Sequence, residues 1–246
     1  MLQTLKNAWS VPDIRKKVLY TMLILIIFRI GAVAIPVPFL DPAALRSMLS
    51  SGQNLLGFVD VMSGGAFANA TIFAMSITPY ITSSIVIQLL AVAIPALERL
   101  SKEGADGRKK LNKITRYTTV ALALIQAFAY YILLKNLGAV SYTSGFSGVF
   151  SAIVIISMFV AGACLIVWLG EQIDDHGIGN GISMILFAGI LSRAPGVIQK
   201  MWAYLQLGTK YYFLVPLVAI LFIFLIAFII VMTNAERRVP IQYAKR

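Results

Sequence analysis

A chain of 246 residues that is 59% hydrophobic and only 13% charged departs too far from ordinary globular usage to be a water-soluble domain. Its formal net charge of +11 at pH 7 invites a nucleic-acid reading, but the cations are strung between apolar runs, which is the pattern that orients a membrane protein. The apolar runs lack the two-residue alternation of barrel strands, so the expected class is an all-α, polytopic helical membrane protein.

In chain order, residues 1–17 read as a short polar-to-amphipathic surface segment, with Trp9 and Pro12 near the headgroups. Residues 18–37 form the first apolar run long enough for a hydrocarbon core of about 30 Å. The basic cluster Arg15-Lys16-Lys17, the run after it and Ala32-Val33-Ala34 resemble the parts of a cleavable signal, but no soluble domain follows for export. Arg29 is the one charge inside a span, toward its outer half, where it must snorkel or find a partner. Pro36, Pro38 and Pro42 then force an extended turn.

Leu55-Leu56-Gly57-Phe58-Val59-Asp60-Val61-Met62 is apolar but too short to span, and Ser63-Gly64-Gly65 closes it. On the outer side such a run is either re-entrant or a helix resting on lipid. Residues 70–93 form the second long run, and its section 73–90 carries a proline, hydroxyls and Gln88. Serine and threonine hydroxyls can bond back one turn. Gln88 needs other helices or a wet cavity, and Pro79 is expected to bend the helix. With Ile77 and Ile81 one turn apart, the segment fits the wall of a passage, or a helix packed inside a bundle.

Residues 98–116 hold seven bases and three acids and are expected as a solvated hairpin. Further spans follow at 117–134 and 149–170. The stretch 178 to about 202 is apolar until Arg193 and Pro195, so a short or kinked span is expected there. The run at 211–233 is the last. With the amino terminus inside, fifteen basic residues fall on the cytoplasmic side and five outside, in line with the positive-inside rule. The loop at 171–176 opposes it only with acids, which count for little in that rule.

Gly177-Ile178-Gly179-Asn180-Gly181 has glycines but neither the spacing nor the preceding strand of a phosphate loop. A tight turn between helices is expected. His176 beside Asp174 and Asp175 is weak ground for a metal. Cys164, the sole cysteine, can form no disulfide within this chain and suits packing. No residues pair as nucleophile and base, so neither catalysis nor a cofactor is expected.

Several runs together resemble the bacterial SecY family of protein-conducting channel subunits. They are 73–90, Val167-Trp168-Leu169-Gly170-Glu171-Gln172-Ile173, Gly177-Ile178-Gly179-Asn180-Gly181-Ile182-Ser183, Phe28-Arg29-Ile30-Gly31, Ser63-Gly64-Gly65-Ala66, Lys102-Glu103-Gly104, Thr115-Arg116-Tyr117 and Tyr243-Ala244-Lys245-Arg246. Two positions depart from the family pattern: Ser76 where glycine is common, and Asp175-His176 where a basic residue is common.

The resemblance implies ten spans in two inverted halves. This chain would hold a cytoplasmic surface segment at 1–17 and the first five-helix half at 18–202, with a plug at 55–65 and a cytoplasmic loop at 98–116. The first helix of the second half would be 211–233, and 234–246 would begin a docking loop. The chain is thus expected to be part of a longer subunit.

By the same resemblance, Ile77, Ile81 and Leu186 would belong to a hydrophobic pore ring, and Leu55, Leu56, Phe58, Val59, Val61, Met62, Ser63, Gly64 and Gly65 to the plug. Thr82, Gln88 and Gln126 would belong to a lateral gate. Arg237, Arg238, Lys245 and Arg246 would dock a ribosome or the SecA motor, and ribosomal phosphate contacts there would weaken with salt. The implied partners are SecE-like and SecG-like subunits, nascent chains and the lipid bilayer, and the implied location is the bacterial inner membrane.

Two other classes compete with this reading. A secondary transporter with broken helices would fit Pro79 and Pro195 but lacks a membrane-embedded carboxylate. An intramembrane hydrolase would rest on Ser83 or Ser84, which have no base beside them.

Overall fold

A computed structural model describes residues 9–50, 55–206 and 208–236. Its helices are α1 (Pro12–Ala34), α2 (Pro42–Ser50), α3 (Leu55–Met62), α4 (Thr78–Ala93), α5 (Pro95–Lys102), α6 (Ala105–Asn136), α7 (Gly145–His176), α8 (Gly181–Leu191), α9 (Ala194–Leu205) and α10 (Thr209–Thr233). The described residues form no β-strand, only isolated bridges pairing Pro36 with Thr71 and Leu40 with Val140. Two compact units divide the chain, Met1–Arg193 and Ala194–Arg246. Among the described residues, five helical stretches are long and apolar enough to cross a bilayer, or six if α4 and α5, bent by 102° at their junction, count as one.

In the first unit the helices associate through small residues. Lipid is as apolar as leucine, so burial alone drives little association, and close packing with interhelical hydrogen bonds must do so. On α6 the buried stripe is Thr115, Thr119, Ala123, Ala127, Tyr131 and Leu134. On α7 it includes Ser151, Ile155, Phe159, Gly162, Ile166, Gly170 and Ile173, at spacings of three and four. The Ser83 hydroxyl donates to the Thr115 carbonyl at 2.9 Å, tying α4 to α6. Near the basic end of α6, Arg116 makes a bidentate ion pair with Glu171, joining α6 to α7.

The second long apolar run differs from its expected form. Helix begins only at Thr78, and residues 63–77 are a chain of turns. These residues are nevertheless buried almost throughout, with Phe67, Phe73, Met75 and Ile77 at or below 2% exposure. Non-helical backbone is tolerated at membrane depth when protein surrounds it. Its amides are satisfied locally and by the chain after α1: Ile72 N–H donates to the Ile35 carbonyl at 3.2 Å, and Val37 N–H to Ala70 at 2.8 Å.

Pro79 therefore does not bend α4. It sits in the first turn, where its missing N–H has no intrahelical partner to lose. The bend comes instead before Pro95, where Ile94 takes extended backbone as residues before proline prefer.

The basic hairpin is also more helical than its charge suggests. Residues 95–102 form α5, and α6 begins at Ala105, so its 32 residues extend beyond the expected span. Likewise α7 continues to His176 through the expected acidic loop. Lysine, arginine and glutamate are good helix formers. The i,i+4 pair Glu98–Lys102, at 2.5 Å, adds about 0.3–0.5 kcal/mol on an exposed face.

The glycine motif is the expected turn. Asp174 Oδ1 accepts the Gly181 N–H at 2.7 Å, and Asn180 Oδ1 caps α8 by accepting the Ser183 N–H at 3.0 Å. After α8 the helix breaks at Ser192–Arg193. In the second unit the apolar side chains described on α10 are exposed from Tyr212 to Met232 apart from the half-buried positions, as for a helix that faces lipid or further protein.

Candidate functional site

The pore-ring candidates lie on two elements of the first unit, at the start of α4 and on α8. Ile77 caps the start of α4 and is 1% exposed. Ile81, one turn on, and Leu186 of α8 are half-buried against the same apolar cluster. All three therefore contribute to the apolar core of the first unit, although Leu186 is more than a hundred residues from the others. Ile77 is held by the turn before it: Ser76 has φ +52° and Met75 and Phe73 are buried behind it.

The short helix α3 packs on α8. Leu55 and Leu56 open the helix, Val59 and Met62 are half-buried, and Phe58 and Val61 are exposed. Its closing turn Ser63-Gly64-Gly65 is buried. Gly64 has φ +65°, and a Cβ there would lie 2.9 Å from the Cα of Gly189. Only glycine satisfies both the left-handed backbone and that contact.

Side chains then fix the turn. Arg29 Nη1 donates to the Gly64 carbonyl at 2.5 Å, which is the structural partner an intramembrane arginine needs. The Ser76 hydroxyl donates to the Met62 carbonyl at 3.3 Å.

Ser76 therefore combines a left-handed backbone with a visible compensation. A left-handed non-glycine residue costs about 1–2 kcal/mol, and the hydrogen bond returns about 0.5–1.5 kcal/mol. Ser76→Gly is expected to change stability by less than about 1 kcal/mol. Ser76→Val, β-branched and without the hydroxyl, should cost about 2 kcal/mol or more. Thermal unfolding of the assembled subunit in detergent checks both.

The lateral-gate candidates lie apart. On α4, Ile77, Ile81, Ser84 and Gln88 share one helical face. Gln88 is exposed, and its Nε2 donates to the Ser84 hydroxyl at 3.1 Å. Ser84 and Gln88 line a cleft of about 490 Å3 between α4, α5 and α6, with Glu98, Lys102 and Arg108 at its polar end. Thr82 is half-buried on α4, and Gln126 is half-buried in mid-α6. The docking candidates Arg237, Arg238, Lys245 and Arg246 lie outside the described residues. His176 is exposed, with its ring 5.6 Å from Tyr20.

Two residues that sequence reasoning did not single out complete the cluster. Asp60, the acid inside α3, is 8% exposed and forms an ion pair with Arg193 just after α8. An acid in an otherwise apolar octapeptide was the available signal, since a buried carboxylate demands a partner. The partner lies 133 residues away.

Residues 71–246 match the SecY family. Among similar curated relatives, the protein translocase subunit SecY of Streptomyces coelicolor is 38% identical over 266 residues, covering 100% of this chain and 58% of that protein. That of Bacillus subtilis is 41% identical over 251 residues, covering 100% and 57%. That of Rickettsia conorii is 42% identical over 243 residues, covering 95% and 54%. The chain thus spans little more than half the length of these relatives.

Two solved structures share the fold. One, described as "The structure of a protein conducting channel", superposes with a TM-score of 0.60 at 16% identity, covering 90% of this chain and 50% of that one. The other, "Sec61 in the Canine ribosome-channel complex from the endoplasmic reticulum", gives 0.60 at 17% identity, covering 98% and 54%.

Proposed function

This chain belongs to the SecY family of multi-pass membrane proteins, and we propose that it forms part of a passive channel that moves unfolded polypeptides across the membrane and releases apolar segments sideways into the bilayer. The observation that carries the proposal is that Ile77, Ile81 and Leu186 all belong to or pack on the apolar core of the first unit, with the short helix α3 lying against α8, the helix of Leu186. A collar of branched aliphatics excludes water by dewetting, yet widens around a chain without specific bonds to break.

In this reading α3 and the turn to Gly65 are the plug, and Thr82, Gln88 and Gln126 lie on one side of the lateral gate. Energy comes from a SecA-like motor, a translating ribosome or both, docking through Arg237, Arg238, Lys245 and Arg246. SecE-like and SecG-like subunits complete the assembly. The chain itself is not an enzyme and takes no cofactor. The channel sits in the bacterial plasma membrane with the amino terminus in the cytoplasm, as the excess of cytoplasmic Lys and Arg supports.

Reconstitution tests this against the transporter alternative. Vesicles carrying the full-length subunit with its small partners, given motor and ATP, are expected to bring an unfolded secretory precursor to a protease-protected interior. Saturable, gradient-driven uptake of a small solute without precursor import would replace the channel with a transporter.

A further inference from the structure

The turn that ends α3 is flanked by two guanidinium groups and one carboxylate. Arg29 bonds the Gly64 carbonyl at 2.5 Å, while Arg193 lies over Gly65, where a Cβ would meet its Nη2 at 2.7 Å. Asp60 is the carboxylate that pairs with Arg193. It is also built into the turn, since its other oxygen accepts the Ala68 N–H at 2.8 Å and its carbonyl accepts the Gly65 N–H at 2.9 Å.

Arg193 is thus bonded to an acceptor that moves with the turn, from a position at the end of the helix against which α3 packs. Its Nε is buried with no hydrogen-bond partner in the structure, so the pair is the arginine's principal anchor. Displacing α3 from α8 must separate this pair, whose carboxylate is nearly buried while the Arg193 side chain is 37% exposed. The loss falls mainly on Asp60, because a buried charge left alone costs more than the pair's net contribution.

Resting on the plug reading above, we infer that Asp60 and Arg193 are positioning residues that hold the plug seated and set the threshold at which the channel opens. The Arg29 bond to a carbonyl holds the backbone of the turn. The Asp60–Arg193 pair adds a charge-dependent restraint that an entering segment must overcome. Removing either charge should therefore lower the threshold without removing the pore ring, so the channel still conducts chains but closes less well at rest.

The test uses the full-length subunit with its partner subunits in planar bilayers and proteoliposomes. Asp60→Asn keeps an acceptor for the Ala68 N–H and removes only the charge; Arg193→Gln removes the other. Each is expected to raise resting ion leak at least fivefold and to admit precursors with weakened signals, with import of a normal precursor retained. The charge swap D60R/R193D should bring the leak back to within twofold of the parent.

A second arm does not depend on the swap folding well. In a cysteine-free background, including Cys164→Ser, cysteines at 60 and 193 joined by a bis-methanethiosulfonate, which forms a disulfide with each thiol and releases methanesulfinate, should block import, and reductant should restore it. Unchanged leak in both single variants, while deletion of residues 55–65 raises it, would overturn the latch and leave the plug standing. Unchanged leak in the deletion as well would overturn the plug reading and the latch with it. A raised leak that neither the swap nor the cross-link controls would also reject the latch, since the variants would then only loosen local packing.

Discussion

Serine at both position 77 and position 81 of the full-length subunit is expected to raise resting ion permeation about tenfold and to allow export of precursors with defective signals. Both isoleucines belong to the apolar cluster shared with Leu186. If they only pack the bundle, the double substitution opens a cavity and costs about 2–5 kcal/mol per buried aliphatic truncated to a small residue, with no specific leak. If they form the seal, two hydroxyls in a narrow apolar collar provide water with partners and end its dewetting. The two cases separate in paired measurements: conductance of the closed channel, and thermal stability of the same preparation. Leak that rises even when stability is recovered by low temperature or stabilising lipid supports the seal. Parent-like leak with lowered stability identifies these residues as packing.

Gly162→Val is expected to be among the most damaging single substitutions in the first unit. A Cβ at Gly162 would overlap the Ile72 carbonyl, with the carbonyl carbon at 2.7 Å. Its neighbour is backbone, so no side chain can swing aside. The residue lies inside α7, where valine is acceptable to the helix, and the penalty therefore comes from overpacking, at about 3 kcal/mol. The segment that must move, 66–77, also carries Ile77, so export should fall together with stability. Ala161→Val, at the adjoining exposed position, is the control and should stay within about 0.5 kcal/mol of the parent. Protease resistance and thermal aggregation of the assembled subunit measure both variants.

Helices α1, α6, α7 and α10 were legible because an apolar run near 20 residues has few other uses. Their lengths were not. Lys109, Lys113 and Arg116 read as loop by charge, yet charge does not oppose helix, and α6 takes them in as its first turns. The buried turns at 63–77 were the larger miss. Ile72-Phe73-Ala74-Met75 is as apolar as any helix core, and periodicity cannot tell a buried helix from buried turns. What decides it is tertiary: the chain after α1 supplies hydrogen-bond partners at Ile35 and Val37, and Ser76 adopts a left-handed backbone that ends one arrangement and starts α4. Pro79 carried the right information in the wrong role, because a proline marks a helix start as readily as a kink.

The same division holds at the site. Ile77 and Ile81 were visible as neighbours one turn apart on α4. Leu186 was reached through family resemblance, not through spacing. Asp60 is masked in the sequence by the apolar content of Leu55–Met62, and Arg193 by its place among the scattered basic residues between apolar runs. Their pairing depends on α3 packing against α8, a contact no local pattern encodes.

The central claim is that the face of α4 carrying Ile81 lines a path for polypeptide. A photoreactive residue at position 81 of the full-length subunit, assembled with its partners and engaged by a stalled secretory chain, tests it directly. A cross-link to the chain that appears only during translocation is the result expected here. With engagement independently shown, no cross-link from position 81, or from 77 and 186 probed in the same way, would mean that these residues are packing within the bundle and that the chain passes elsewhere.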